Sequence, residues 1–272
     1  MSEFERLDLD AYFRRVGYDG PREPTLKVLG ALHALQPAAI PFENLDPLLG
    51  RPVSLDLASL QAKLVQERRG GYCFELNGLF RAVLEALGFA VTPLIARVRW
   101  MAPPERPPGP RSHMLMRVDL AQGSFLADVG FGGHLLAGPL RFETEVEQQT
   151  PGGVQRLIAG GAAYTLQTRL PSGWHDAYGF TLEPAVAADY EVGNWYTATH
   201  PASLFRNALL MERLTPQARF SLFNTRLIER SGGGARERLL QSAAELDIVL
   251  ENIFGLTAPA SIETIWARLP QI

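Results

Sequence analysis

The 272-residue chain holds one cysteine. That excludes an internal disulfide and any metal site built on several thiolates, and a lone free thiol fits a reducing compartment. No stretch approaches the roughly 20 apolar residues of a membrane span. The N-terminal Met1-Ser2-Glu3-Phe4-Glu5-Arg6-Leu7-Asp8 is acidic and has no apolar signal core. The expectation is therefore a cytoplasmic protein without a membrane partner. A surplus of one charge is also missing. Lys and Arg number 26 against 29 Asp and Glu, a formal charge of −3, which offers little to a nucleic acid or an anionic membrane. Histidine is scarce, and His134, His175 and His200 are not spaced with Asp, Glu or Cys as a metal site requires, so no metal is expected. The chain shows neither an internal repeat nor a low-complexity segment.

What is present is organised around the cysteine. In Arg69-Gly70-Gly71-Tyr72-Cys73-Phe74-Glu75-Leu76-Asn77 two glycines precede it and a helical pattern follows. Leu76, Leu79, Phe80, Val83, Leu84 and Leu87 recur at steps of three and four, one apolar helix face, and Gly88 stands where a helix stops. Cys73 is thus expected in the turn that opens a buried helix, where free N–H groups and the positive end of the dipole favour a thiolate. Gly70 and Gly71 permit a sharp turn and leave room beside the sulfur. The competing reading is an inert buried thiol, so the question becomes whether a base and an orienting carboxylate exist elsewhere.

Arg111–Leu120 and Ser124–Gly130 read as two strands joined at Ala121-Gln122-Gly123. This hairpin sets His113 near one strand's open end and Asp128 near the end of its neighbour. A nucleophilic thiol needs a base to take its proton, and an imidazole needs a carboxylate to fix its tautomer. Cys73, His113 and Asp128 supply one residue for each role.

The length points to two or three subdomains, and 46% hydrophobic with 20% charged residues is ordinary for a globular chain. Residues 1–90 read as helical. Asp8 caps a helix ending at Gly17, Thr25 caps a second ended by Pro37, residues 40–45 are irregular because Pro41 resists helix, and Asp56 or Ser59 begins a third. His33 reads as a core histidine with one hydrogen-bond partner. From Phe89 the pattern turns to strands: Val91–Trp100, the His113 and Asp128 strands, Val154–Ile158, Tyr164–Arg169 and Trp174–Phe180. This is the signature of a small barrel or curled antiparallel sheet. Met101–Pro110, with five prolines, is a loop, and Glu143–Gly153 a polar connection. Gly130-Phe131-Gly132-Gly133 lacks the helix and lysine of a phosphate-binding loop. Residues 184–200 form a helix or turn link. Beyond it come strands Leu209–Leu214 and Arg219–Thr225, a flexible turn at Ser231-Gly232-Gly233-Gly234, and helices from Arg236 to about Leu250 and from Ser261 to Leu269. The expected units are 1–90, 91–200 and 201–272.

Four blocks, in order, resemble the arylamine N-acetyltransferase family: Ile40-Pro41-Phe42-Glu43-Asn44-Leu45-Asp46; Arg69 to Asn77; Ser112-His113-Met114 with Asp128-Val129-Gly130-Phe131-Gly132; and Asn194-Trp195-Tyr196-Thr197-Ala198-Thr199-His200-Pro201. One departure is visible. Many members carry a second histidine shortly after the one matching His33, where this chain has Gln36. The resemblance implies an α+β fold with an N-terminal helical bundle carrying Cys73, a central antiparallel β-barrel-like domain carrying His113 and Asp128, a C-terminal α/β lid, and a cysteine-protease-like Cys-His-Asp core. It implies acetyl transfer from acetyl-coenzyme A, a co-substrate rather than a tightly bound cofactor, to an arylamine or hydrazine by way of acetyl-Cys73. It places Phe42 in the acceptor pocket and an aromatic, Phe205, at the cleft, where a plain core anchor is the alternative. Val98, Trp100 and Phe131 would add apolar wall, and Gly132 would let a thioester-bearing chain pass close to the backbone.

Other readings stand beside this one. The same triad serves thiol hydrolases, although the papain pattern separates cysteine and histidine by roughly 130–150 residues, against 113 − 73 = 40 here. Some relatives are amide synthases using other acyl donors. A small-molecule-binding module with an unreactive Cys73 is the non-enzymatic alternative. Oligomeric state and the preferred amine are not encoded legibly.

Overall fold

The structure, a computed structural model, describes residues 7–103, 105–232 and 234–270. Helix α1 (Leu9–Val16) starts on Asp8, whose side chain accepts the Ala11 N–H, and stops at Gly17 in the left-handed region. Helix α2 (Leu26–Ala39) starts on Thr25 and runs two residues past Pro37, correcting the expected stop there. A proline in the last turn removes only the N–H that would reach back to His33, and Ile40 still bonds the Gln36 carbonyl at 2.7 Å. The expected irregular segment after it contains a two-residue strand, β1 (Phe42–Glu43), followed by the short helix α3 (Leu45–Leu49). Asp56 caps α4 (Leu57–Gln61), which continues into a π-helical turn, Ala62–Gln66. Helix α5 (Cys73–Ala86) opens on the cysteine itself.

Strands β2 (Ala90–Val98), β3 (Arg111–Leu120), β4 (Gly123–Ala127), β5 (Leu140–Arg141), β6 (Gln148–Thr150), β7 (Gly153–Gly160), β8 (Ala163–Leu170) and β9 (Gly173–Thr181) form one antiparallel sheet. Its order is β5-β4-β3-β2-β9-β8-β7-β6. The two edges nearly meet. The Gln148 amide accepts from the Arg141 N–H and donates to its carbonyl, both at 2.8 Å, imitating a strand pair and almost closing a barrel. Strand β6 lies inside the segment that reads as a polar connection.

Helices α6 (Ala187–Thr199) and α7 (Leu204–Asn207) lead to a second sheet of β10 (Leu210–Leu214), β11 (Ala218–Phe223), β12 (Arg226–Ser231) and β13 (Gly234–Leu239), which β1 joins at its β10 edge. Strand β13 corrects the helix expected from Arg236. Ser231 pairs with Gly234, so β12 turns back tightly into β13; Gly233, part of the expected flexible turn, lies outside the described residues. Arg226 forks onto Glu237 across it with two bonds of 2.7 Å. The helix begins later, on Ser242, as α8 (Ala243–Val249), and α9 (Ile262–Trp266) is shorter than expected.

Three apolar clusters fill the interior. One joins α1, α2 and α5 to the outer faces of β2 and β3, one lies inside the barrel-like sheet, and one packs Leu45 and Leu48 beneath the second sheet against α8 and α9. The second sheet is tied to the loop after β4 by one buried ion pair. Glu212 bonds Arg219, accepts the Leu135 N–H, and Arg219 donates to the Leu135 carbonyl. Glu212→Gln would leave Arg219 buried without its counter-charge, a loss of about 3–5 kcal/mol, to be read as a lowered urea midpoint at unchanged slope.

Candidate active site

Cys73 sits where it does because the chain around it is held from both sides. Glu75, third residue of α5, turns back to accept the Tyr72 N–H at 3.0 Å, which fixes the turn that opens the helix at Cys73. Behind that turn Lys63 bridges Glu75 (2.6 Å) and Asp46 (2.7 Å), while Arg69 spans Glu43 (2.8 Å) and Asp46 (3.2 Å). Gly70 is forced by the approach of β1, since a Cβ there would stand 2.3 Å from the Pro41 carbonyl oxygen. Gly130 is forced likewise, its would-be Cβ being 2.9 Å from the Cys73 Cα.

His113 reaches the sulfur through a break in the sheet. Ala96 pairs with His113 but Arg97 pairs with Arg111, so Ser112 is an extra, bulged residue. The bulge turns the Ser112 carbonyl to within 3.6 Å of Cys73 Sγ, the re-aiming that bulges perform at sites. The His113 Nε2 lies 2.8 Å from Asp128 Oδ2, and the imidazole stands close enough to Cys73 for the two side chains to interact. With Nε2 engaged by the carboxylate, Nδ1 is the nitrogen that meets the thiol. Burial works against a charged ring, but the Asp128 carboxylate, the bond to it and the neighbouring Cys73 outweigh it, so the His113 pKa is raised. Burial likewise works against the Asp128 charge, yet His113, Asn77 and the Gly130 N–H together hold its carboxyl below the usual carboxylate range.

Three residues outside the sequence-predicted Cys73, His113 and Asp128 complete the arrangement. Asn77, one turn along α5 from Cys73, donates to Asp128 Oδ1 (2.9 Å) and the Met114 carbonyl (2.7 Å) and accepts from Val129 N–H (2.9 Å). Its position in the Glu-Leu-Asn run, four residues after the cysteine, is the signal that could have found it. Tyr178, delivered by a second bulge in β9, lays its ring 4.7 Å from that of His113. No local pattern announces it. His33 accepts the Asp128 N–H through Nε2 at 3.1 Å, the single partner expected of it. Burial pushes its pKa down to about 4, so the ring is neutral with its proton on Nδ1. Gln36, standing at the departure from the family pattern, links the Tyr12 hydroxyl (2.8 Å) to the Leu76 carbonyl (2.9 Å).

Cys73, only 4% exposed, opens into a cavity of about 350 Å³ that His113 also lines. Phe42, Val98, Trp100, Phe131, Gly132 and Phe205 all line it. Phe131 lies edge-on to Trp100 (6.1 Å) and to His113 (5.1 Å), and Phe205 stacks edge-on against Phe42 (5.8 Å) and Tyr72 (5.5 Å). Phe205 is therefore both wall and anchor. Asn44 positions it, donating to the Phe205 and Ala208 carbonyls at 2.9 and 2.7 Å. A Cβ on Gly132 would fall 2.2 Å from the Phe42 ring, so only glycine allows that ring against the wall. The Asn194 side chain accepts the Tyr72 hydroxyl hydrogen and donates to the Val53 carbonyl, which fastens α6 over the Cys73 turn. Among the described residues no group of His, Cys, Asp and Glu is arranged to hold a metal, and no helix is long and apolar enough to cross a membrane.

A buried Cys-His-Asp row opening into an aromatic cavity is the core of cysteine-protease-like folds, so geometry alone leaves the reaction open. Comparison narrows it. Residues 25–262 match the N-acetyltransferase family. An arylamine N-acetyltransferase of Mycolicibacterium smegmatis is 42% identical over 253 residues, 92% of either protein. The solved arylamine N-acetyltransferase of Mycobacterium tuberculosis superposes with a TM-score of 0.93 at 40% identity, over 97% of this chain and 100% of that one. That of Mycobacterium marinum, solved in complex with CoA, gives 0.92 at 39% identity, over 96% and 98%. By sequence and by fold, the chain belongs to the arylamine N-acetyltransferase family.

Proposed function

We propose that this protein transfers an acetyl group from acetyl-coenzyme A to the amino group of arylamines or arylhydrazines in two covalent half-reactions at Cys73. The observation that carries the reading is the Cys73-His113-Asp128 row at the base of an aromatic-walled cavity. Residues 1–90 supply the nucleophile, 91–200 the base and its carboxylate, and 201–272 the cover, with Phe205 at its start.

In the first half-reaction the Cys73 thiolate, paired with imidazolium His113, attacks the thioester carbonyl carbon. Backbone N–H groups around Cys73 stabilise the oxygen as it gains charge. The bond to the coenzyme A sulfur breaks, and that sulfur leaves as a thiol with the proton from His113. In the second, the amine nitrogen attacks the acetyl-Cys73 carbonyl and His113 takes the nitrogen's proton. The Cys73 sulfur then departs as a thiolate, restoring the starting pair. Asp128 keeps Nε2 protonated throughout and stabilises the charged ring. Exchange of one thioester for another is nearly isoenergetic. An arylamine of low basicity is neutral and nucleophilic at neutral pH, and the apolar walls select its ring while limiting the water that would hydrolyse acetyl-Cys73.

This scheme makes the two substrates compete for one site in turn. Initial rates over a matrix of acetyl-coenzyme A and arylamine concentrations should give parallel double-reciprocal lines. Lines that converge would mean both substrates are bound together before any chemistry, and would remove the covalent intermediate.

A further inference from the structure

The turn that opens α5 sets two requirements against each other. Glu75 caps it from two residues after Cys73 and is only 1% exposed. Its carboxylate packs so tightly beneath the turn that a Cβ on Gly71 would fall 2.8 Å from Oε2. A buried anion in this position works against a second anion on the neighbouring sulfur. A glutamine would also accept the Tyr72 N–H, and would carry no charge.

Lys63 removes the conflict. The π-helical turn Ala62–Gln66 presents Lys63 Nζ to Glu75 Oε1 at 2.6 Å and to Asp46 Oδ2 at 2.7 Å; such turns recur where a side chain is placed for function. Burial opposes the Lys63 charge, but Glu75, Glu43 and Asp46 outweigh it and raise its pKa. On Glu75 burial is the larger influence and lifts the carboxyl above the usual carboxylate range, while Lys63 pulls it back. The carboxylate thus depends on Lys63 for its charge, and the two charges cancel where they stand. Glu43 on β1 and Asp46 on α3 face the same turn, both held by Arg69, with Arg51 3.9 Å from Asp46. So do the Tyr72 hydroxyl, bonded to Asn194, and the His113–Asp128 pair. A buried ion pair is a weak source of stability, because neutral groups of similar volume often do as well. What this pair provides is a rigid cap with no net charge beside the sulfur.

We infer that Lys63 is a positioning residue for the chemistry at Cys73: by holding the Glu75 carboxylate and cancelling its charge, it lets α5 be capped while Cys73 stays a thiolate. The inference rests on the reading of Cys73 as the acyl-carrying nucleophile and adds what keeps it ionised.

The test follows alkylation of Cys73, the one thiol in the chain, by iodoacetamide over a pH series, read by intact mass. The thiolate is the reacting form, so the pH of half-maximal rate reports its formation; that midpoint belongs to the Cys73–His113 pair, which every variant keeps. Lys63→Met alone lets Glu75 take up a proton, so the decisive variant is Glu75→Gln. It retains an acceptor for the Tyr72 N–H and leaves Lys63 on Asp46 with its charge no longer cancelled. Its midpoint should fall by about one pH unit, a rise of about tenfold in thiolate at a pH below both midpoints. Lys63→Met/Glu75→Gln removes both charges and should return the midpoint to the wild-type value. Lys63→Arg/Glu75→Gln keeps a cation and should stay low. A pair that serves only to hold the fold would change stability and leave the midpoint in place. A folded Glu75→Gln with the wild-type midpoint, or a lowered midpoint that persists in Lys63→Met/Glu75→Gln, overturns the inference. Alkylation uses no acetyl donor, so a wild-type protein that alkylates through its thiolate yet never takes acetyl from acetyl-coenzyme A would instead strike at the acetyl-transfer reading.

Discussion

Cys73→Ala is expected to abolish acetyl transfer, with kcat/KM falling by about 10⁵ or more, while the fold is retained. The side chain is small and largely buried, bonds the Ser112 carbonyl and lies beside His113. Its removal costs about 1–2 kcal/mol of packing at most and should leave the near-ultraviolet circular dichroism unchanged. Cys73→Ser tests the same point differently. A hydroxyl preserves the contacts, but at the same imidazole it ionises far less readily than a thiol, so activity should remain lower by several orders of magnitude. Retention of more than a few per cent of wild-type turnover by either variant would require a nucleophile elsewhere, or direct transfer without one.

Asp128→Asn is expected to reduce kcat/KM by about 10³ to 10⁴, because neither orientation of the amide fits. Asp128 Oδ2 faces His113 Nε2, while Oδ1 accepts from Asn77 Nδ2 and the Gly130 N–H at 2.9 and 3.0 Å. With its oxygen toward His113, the asparagine sets its NH₂ against two donors. With its NH₂ toward His113, it makes Nε2 an acceptor and puts the ring proton on Nδ1, pointing at the sulfur, so the base cannot take the thiol proton. The variant should also lose about 1–3 kcal/mol of stability, since one orientation leaves buried donors without an acceptor and the other removes the charge-assisted bond to His113.

The same pair sets a pH dependence. His113 has its folded pKa raised above the ordinary 6.5, so its contribution is full below that value and is lost as pH rises through the raised one. Asp128 has its folded pKa lowered, so its contribution is full above the ordinary carboxylate range and is lost as pH falls through the lowered value. The two overlap across neutral pH, where the ion pair should stabilise the protein most. In the Asp128→Asn variant the alkaline part of this dependence should vanish. The His113 ring protons, followed by NMR, should then titrate at lower pH than in the wild type. A His113 titration unaffected by the substitution would deny the carboxylate its role.

Much of this site can be read from the chain because its parts are announced locally. Cys73 stands between a glycine pair and an apolar helical face, and His113 and Asp128 sit on strands joined by a short turn, so adjacency follows from the hairpin. Tyr178 carries no comparable mark, since a tyrosine in an alternating strand looks the same whether it faces a core or an imidazole. It meets His113 only because β9 lies beside β2 and a bulge turns it inward. The bulge at Ser112 is equally silent, being a mismatch of register between two strands rather than a residue type. Strand β13 reads as helix because Arg236, Glu237 and Arg238 are good helix formers and the strand is exposed along its length, so no alternation of apolar residues opposes that preference. Cross-strand pairing with β12 decides it, and the run of glycines in the sequence just before β13 is the better guide. Pro37 misleads for the opposite reason, since a rule about helix interiors does not carry over to a last turn where only one hydrogen bond is at stake.

The central claim is that the acetyl group rests on Cys73 between donor and acceptor. Rapid mixing of the protein with acetyl-coenzyme A in the absence of amine, followed by intact mass and peptide mapping, tests it directly. One acetyl group per chain on the Cys73 peptide, absent in Cys73→Ala and His113→Ala and lost rapidly on adding an arylamine, is the predicted result. A folded wild-type protein that turns over acetyl-coenzyme A and arylamine yet never carries acetyl on Cys73 would contradict it.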